Sequence, residues 1–425
     1  MKKKILLIGP ILTQSGYGEH ARLIYRALKS REDLFEIFIN PIGWGHTNWE
    51  CEDSDARDEI DQIINKTFLH MQNQQPFDTT IMVTIPNEWQ QYRASVNAAE
   101  NIGVCAGIES DRVSPHWIDA ANKLVDKIIV PSNFAKDIFL ASSWNVKDQH
   151  GNDHVLKLQK PVEVVNYHAE EEFLNPDKSV LSNIKFEHDF NFLCVAQWGP
   201  RKNIHNTINS FVKEFEGEEV GLVLKVNLRD TSTIDYYVAQ EEINKVLENY
   251  PNRKCAVHLI HGYLSKKEMA SLLAHSQIKA MINFGHGEGF GLPLFEAALV
   301  GLPIITHDWG GQKDFLYAPK KDKKTKKEKM RPHFFKVAYE LKKIQQEAVW
   351  DGVLQPESQW AFPNMQSCEI AMRQCYEHYN LSLNHSKKLK KWVKENFDQQ
   401  SKLKQICDIL EDEEWAQTLN DIQLI

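Results

Sequence analysis

Long apolar runs are missing. Nowhere among the 425 residues do about 18 apolar residues follow one another, so no segment could cross a bilayer as a helix. Cysteine is sparse and unpatterned: the seven, at positions 51, 105, 194, 255, 368, 375 and 407, are odd in number and show no C-x-x-C spacing. That argues against a structural zinc and fits a reducing cytoplasm, where we expect the protein to work. Histidine is plentiful at 17, yet no H-E-x-x-H or comparable ligand spacing occurs. There is no G-x-S-x-G nucleophile elbow, no G-x-x-x-x-G-K-[ST] phosphate loop and no repeat at a fixed period. Hydrolase-triad and NTPase readings therefore lack their usual support. The net charge of −8 argues against a surface that binds nucleic acid all over, while leaving room for a local basic patch.

What is present is an alternation of short β-rich runs with longer helical patterns. "MKKKILLIGPIL" imitates a signal peptide, but its apolar part is short and lacks a cleavage site, so it reads as a first buried strand. Strands follow at "FEIFIN", "TTIMVTI", "NIGVCAGI" and "KIIVPS", with helices such as "EHARLIYRALKS" and "HWIDAANKLVD" between them. A second series begins at "NFLCVAQ" and continues through "VGLVLKVN", "CAVHLIHG", "IKAMINF" and "LPIITHD". Two α/β series predict two Rossmann-like halves with parallel sheets, the seam lying near residues 165–185. The boundaries expected are 1–175, 176–395 and a helical tail 396–425; the last forty residues look helical throughout. "PKKDKKTKKEKMR", 319–331, carries a net +6 without apolar periodicity and reads as a mobile, solvated surface loop, with contact to an anionic acceptor as the other reading.

"GHGEGFGLPLFE", residues 285–296, is the most informative stretch. It follows an apolar strand and leads into an amphipathic helix stopped by Gly301 and Pro303, with Pro293 suited to the first helical turn. The amides of Gly289, Phe290, Gly291 and Leu292, with the helix N-terminus, would make an anion site for a diphosphate. Glu296, one turn into the helix, could accept both vicinal hydroxyls of a ribose, and Glu288, at the loop's mouth, could hold sugar hydroxyls. The structural alternative is a tight strand-to-helix turn whose acids merely meet the helix dipole. In the second half, Arg201 and Lys202 follow a strand and precede a helix, placed for phosphate oxygens. "GYGEHA" matches a dinucleotide fingerprint only loosely, because six residues separate the strand end from Gly16 and the next strand closes on Asn40. Gly16, Tyr17 and Gly18 read better as a flexible loop that lets backbone approach a ligand. Asp53-Ser54-Asp55 could suggest a metal held by a sugar nucleotide, but reads as caps and first-turn charges; no metal site is expected.

These residues together resemble the family 4 glycosyltransferases of the GT-B fold. The E-x7-E signature stands as Glu288 to Glu296 within "EGFGLPLFEAALVGLPII"; the resemblance extends to "RKN" at 201–203, to the loop at Gly16–Gly18 and to "DKIIVPSNFAKDIF" with Ser132. It implies a C-terminal domain that binds a sugar nucleotide, an N-terminal domain that presents the acceptor, and a last helix crossing back onto the N-terminal domain. The family commonly has Arg five residues before the Lys, where Gln197 stands, so Arg201 takes that charge. Many members have a His where "CAGIESDR" offers Glu109.

The expectation is transfer from a nucleoside-diphosphate sugar, UDP- or GDP-linked, to a hydroxyl acceptor with retention of configuration and without a metal or other cofactor. Lys202, Arg201 and the loop amides would stabilise the departing diphosphate, Glu288 would orient the sugar, and Glu109 would touch sugar or acceptor. The acceptor expected is a glycan or lipid-linked saccharide, with a hydroxylated DNA base as alternative. A glycoside hydrolase using the two glutamates and a non-catalytic sugar-nucleotide-binding protein are the rivals from other classes.

Overall fold

A computed structural model describes residues 2–49, 54–94, 96–147, 151–321 and 327–411. The N-terminal half runs β1 (Lys3–Gly9), α1 (Gly16–Lys29), β2 (Phe35–Pro41), α2 (Asp55–Gln72), β3 (Phe77–Val83) and α3 (Trp89–Arg93). It continues with β4 (Ala98–Val104), α4 (Pro115–Leu124), β5 (Lys127–Val130) and α5 (Asn133–Ala141). A hairpin of β6 (Ser143–Lys147) and β7 (Asp153–Lys157) precedes β8 (Val162–Val164). Six strands pair in the order β2-β1-β3-β4-β5-β8, all parallel. Helices cover both faces of such a sheet, which is why β1 is a continuous apolar run: Ile5, Leu6, Leu7 and Ile8 are all fully buried.

After α6 (Glu171–Leu174) the second half opens with β9 (Asn191–Gln197), α7 (Ile204–Phe215), β10 (Gly221–Asn227), α8 (Thr233–Leu247), β11 (Ala256–Ile260) and α9 (Lys266–Leu273). Then come β12 (Ile278–Asn283), α10 (Leu292–Val300), β13 (Ile304–Thr306) and α11 (Lys313–Leu316). β14 (Tyr317–Lys321) and β15 (Glu328–Pro332) form an antiparallel ribbon, β16 (Phe335–Lys336) joins the main sheet, and β17 (Tyr339–Lys343) pairs with β18 (Gln359–Pro363). α12 (Met365–Glu377), α13 (Tyr379–Asn396) and α14 (Gln399–Glu411) end the described chain.

The second sheet has the order β11-β10-β9-β12-β13-β16. Each half thus reverses direction once, between β1 and β3 and between β9 and β12, and crevices at the carboxyl ends of such strand pairs are where doubly wound sheets hold ligands. α14 returns to the first half. Lys3 Nζ donates to the Leu410 carbonyl (2.8 Å) and Lys127 Nζ to that of Ile409 (3.1 Å), so two lysines at strand starts cap the end of the helix.

Three expectations change. Gly16–Gly18 is not a loop but the first turn of α1, because Ser15 caps the helix by accepting from the Gly18 amide (2.9 Å). The segment 319–331 is not a loop in its described parts: Pro319–Lys321 and Glu328–Arg331 pair as strands, since backbone hydrogen bonds do not require apolar side chains. The C-terminal helices break at Phe397 and Asp398. Asp53 lies outside the described residues; Ser54 caps α2 by accepting from the Arg57 amide.

Candidate active site

The loop after β12 is held from several sides. Asn283, the strand's last residue, uses its carboxamide oxygen to accept from Gly285 N (2.9 Å) and its Nδ2 to donate to Glu288 Oε1 (3.0 Å). His286 stacks on Trp360 with ring centroids 5.0 Å apart, and its Nδ1 meets the Ala361 carbonyl at 2.8 Å. Gly291 precedes α10 at φ +91°, a conformation that only glycine adopts cheaply, and Pro293 sits in the first turn. Phe290 anchors the loop from below, buried among Tyr167, Phe295 and Phe315. Among the described residues, the amides of Gly289, Phe290, Gly291 and Leu292 meet no protein acceptor, so they remain available to an anion together with the helix N-terminus.

The turn after β9 supplies the cations. Asn203 stands in the left-handed region at φ +54° and donates through Nδ2 to the Phe284 carbonyl (3.0 Å), tying this turn to the loop. Lys202 Nζ lies 2.5 Å from Glu288 Oε1, and Arg201 lies 3.5 Å from Glu288 Oε2 while donating to the Gly287 carbonyl at 2.7 Å. Burial alone would raise the Glu288 pKa; Lys202 and Arg201 outweigh it and hold the carboxyl at about 2. Burial and Arg201 in turn pull the Lys202 ammonium below its usual value. Glu288 is therefore a carboxylate that organises two cations at the β9/β12 crevice, and it is only 7 % exposed.

The N-terminal half closes on this cluster. Glu109, beyond the end of β4, reaches Arg201 at 3.2 Å. Ser132, the N-cap of α5, donates to the Gly289 carbonyl at 2.6 Å, and Asp314 accepts from the Asn133 amide at 2.9 Å. The fit is tight: a Cβ on Gly289 would stand 2.5 Å from the Ala106 carbonyl oxygen.

Beside the cluster lies a cleft of about 400 Å³ between the halves, lined by Ser15, Gly16, Gln197, Lys225, Leu292 and Glu296 among others. Gly16 faces it. Tyr17 instead stacks on Trp44 (4.1 Å) and accepts from the Ala106 amide (3.2 Å), and Gly18 packs so closely that a Cβ would meet the Thr13 carbonyl oxygen at 2.1 Å. Gln197 donates to the Leu228 carbonyl (3.3 Å). Glu296 has no hydrogen-bond or ion-pair partner among the described residues; burial, then the nearby Glu170, pushes its carboxyl up to about 8. The two glutamates of the loop thus occupy different environments and do not form an acid/base pair.

Sequence reading missed the wall opposite Glu296. There Lys266 bridges Glu19 (3.0 Å) and Glu170 (2.8 Å), Arg26 pairs with both, and the His168 Nε2 is buried without a partner. These residues come from α1, the seam and the start of α9; only the acidic run at 170–172 hinted at them. Lys225, at the cleft's far end, donates to the Gly262 carbonyl (2.6 Å), and burial lowers it to about 8. Among the described residues no group of three or more His, Cys, Asp or Glu side chains is placed to hold a metal ion, and no helix is long and apolar enough to cross a membrane.

Two facing doubly wound halves, with a glycine loop and its cations at the switch point of the second, define the GT-B class. The model of the group 1 glycosyl transferases matches residues 181–321, which contain Arg201, Lys202, Glu288 and Glu296, and with the fold this makes the protein a glycosyltransferase. A search of curated proteins finds no match. Solved structures of the same architecture include sucrose-phosphate synthase from Thermosynechococcus elongatus: TM-score 0.64, 13 % identity, 98 % of this chain and 100 % of that one covered. Anabaena HepE with UDP and glucose superposes at a TM-score of 0.58, with 13 % identity over 96 % and 99 % of the two chains. The catalytic domain of Arabidopsis thaliana starch synthase IV with ADP and acarbose gives 0.53, with 11 % identity over 95 % and 97 %. At these identities the likeness is one of fold.

Proposed function

We propose that the protein is a family 4 type enzyme that moves a sugar from a nucleoside-diphosphate sugar, UDP- or GDP-linked, to a hydroxyl acceptor, with retention of configuration, in the cytoplasm. The observation that carries the reading is the meeting of Lys202, Arg201 and Glu288 at the β9/β12 switch point, beside unpaired loop amides. The diphosphate lies across Lys202, Arg201 and the amides of Gly289 to Leu292, where charge develops as the glycosidic bond breaks. That supply of positive charge needs no metal. Glu288 accepts from sugar hydroxyls, and Glu296, lacking a protein partner, accepts from the ribose. Glu109 stands on the acceptor side. Closure across Ser132 and Gly289 excludes water and limits hydrolysis of the donor. HepE binding UDP and glucose, and starch synthase IV binding ADP and acarbose, support a nucleotide donor in a cleft of this shape. Six described cysteines, all free and buried, suit a reducing compartment. The acceptor class proposed is a glycan or lipid-linked saccharide, a hydroxylated DNA base being the alternative.

The test is release of nucleoside diphosphate from a panel of UDP- and GDP-sugars, with and without acceptor. Lys202→Ala should lower transfer by on the order of a hundredfold, the usual cost of losing one charge-stabilising contact. Donor binding without release in any combination would leave a binding protein, and hydrolysis of oligosaccharides without a donor would leave a glycosidase.

A further inference from the structure

The β14–β15 ribbon is absorbed by none of this chemistry. It breaks a rule of sheet pairing: Lys320 stands directly opposite Lys329, where like charges repel. Arg331 shares their face, since it lies two residues from Lys329. α13 packs beside β14 and extends the charge. His385 on α13 meets His333 at the ribbon's base with ring centroids 6.2 Å apart, and Lys320 and Lys388 lie close enough to push both rings below their usual pKa, after burial. Among the described residues none of Lys320, Lys329, Arg331, Lys387 and Lys388 has a carboxylate within ion-pair distance, and all five are exposed. In a chain of net charge −8, this surface gathers positive charge that no described carboxylate pairs with at these five side chains.

We propose that the Lys320–Lys329–Arg331 face of the ribbon, with Lys388 of α13 beside it, docks B-form DNA through its phosphates. Shape selects among polyanions. A two-stranded antiparallel ribbon fits the major groove of B-DNA, whose walls are phosphates, whereas the deep, narrow major groove of an RNA duplex does not admit it. No aromatic stands on the described part of the ribbon between Ala318 and Arg331 to stack unpaired bases, which disfavours single strands. An anionic bilayer is a poorer match, because the described ribbon offers a single large exposed apolar side chain, Met330 at 51 %, and membrane-surface elements bury an apolar face as well as presenting charge. The contacts go to backbone and carry no sequence preference. Docking is independent of the donor reading, because none of these residues lines the cleft.

The experiment is fluorescence anisotropy of a labelled DNA duplex with the full chain, across about 50 to 200 mM salt. Four neutralised phosphates give a slope near −3.6 in log affinity against log salt, or about a hundredfold loss over that range. K320E/K329E/K388E should bind at least tenfold more weakly with a slope reduced by about three, each lost phosphate contact removing about one. Release of nucleoside diphosphate from the donor panel should be unchanged in that variant, so a failed docking result and a failed donor reading are told apart. Absence of duplex binding, a flat salt response, or unchanged binding by the variant overturns the proposal. So does preference for an RNA duplex, or binding to phosphatidylserine vesicles where the duplex does not bind.

Discussion

Removing the negative charge of Glu288 should destabilise the protein, and the size of the loss can be worked from the site. Lys202 Nζ and Arg201 lie 2.5 Å and 3.5 Å from its two oxygens, and the folded carboxyl is held at about 2 instead of 4.5. That difference corresponds to about 3 kcal/mol between the charged and neutral forms. Because the folded pKa is the lower one, the stabilisation is fully present above about 4.5 and is lost as pH falls through about 2. Glu288→Gln should therefore cost about 3 kcal/mol near pH 7, in the range known for breaking one side of a buried pair. The gap between variant and wild type should narrow as pH falls from about 4.5 towards 2. Urea denaturation of wild type, Glu288→Gln, Lys202→Met and the double variant closes a cycle that isolates the pair, with a coupling of a few kcal/mol expected for groups in contact. The reasoning is refuted if the coupling is below about 0.5 kcal/mol, the scatter expected of independent sites, or if the Glu288→Gln deficit does not shrink on acidification.

Three further outcomes are expected. Glu296, raised from 4.5 to about 8, costs the folded state stability as pH rises through that window, so Glu296→Gln should be the more stable protein at alkaline pH. Thermal melting at about pH 9 should show the gain, on the order of 3 kcal/mol once solvent screening of a half-buried carboxyl is allowed for, and little of it should remain near pH 5. Gly289→Ala puts a Cβ 2.5 Å from the Ala106 carbonyl oxygen across the seam between the halves; it should lower transfer at least tenfold and enlarge the radius of gyration in X-ray scattering, while nucleotide still binds. Ser132→Ala removes both the cap of α5 and the 2.6 Å bond to Gly289, a loss of about 1 to 2 kcal/mol that a shifted urea midpoint would report and that Ser132→Thr should largely restore.

How much of this was legible in the sequence depends on the range of the interactions involved. The loop from His286 to Leu292 was readable because the signals that mark it are local: an apolar strand before it, glycines where the backbone is closely packed, and Pro293 where a helix starts. The same holds for the two doubly wound halves, whose strands are apolar runs bounded by turn residues. The start of α1 was misplaced because Gly16 and Gly18 have low helix propensity, while the forces that make them helical are the Ser15 cap and the close seat of Gly18 against the Thr13 carbonyl. The ribbon was hidden for a related reason: a pattern rule looks for alternating apolar residues, and this pair of strands alternates none.

The wall of the cleft opposite Glu296 lay almost wholly out of reach. Lys266 is 247 residues from Glu19 and 96 from Glu170, so no window along the chain contains the contact. That distance has a chemical consequence. Glu19 and Glu170 share Lys266 and Arg26, and Glu19 is driven far below the ordinary carboxylate range, because those two cations and Arg22 outweigh its burial. Glu170 and Glu296 are instead pushed up, by burial first, with Glu19 next for Glu170 and Glu170 next for Glu296. Three carboxyls from separate parts of the chain therefore crowd around Lys266, and Glu296 is the one left without an ion-pair or hydrogen-bond partner among the described residues. On the reading proposed above, a ribose, offering two vicinal hydroxyl donors and no charge, is the partner that this carboxyl would take.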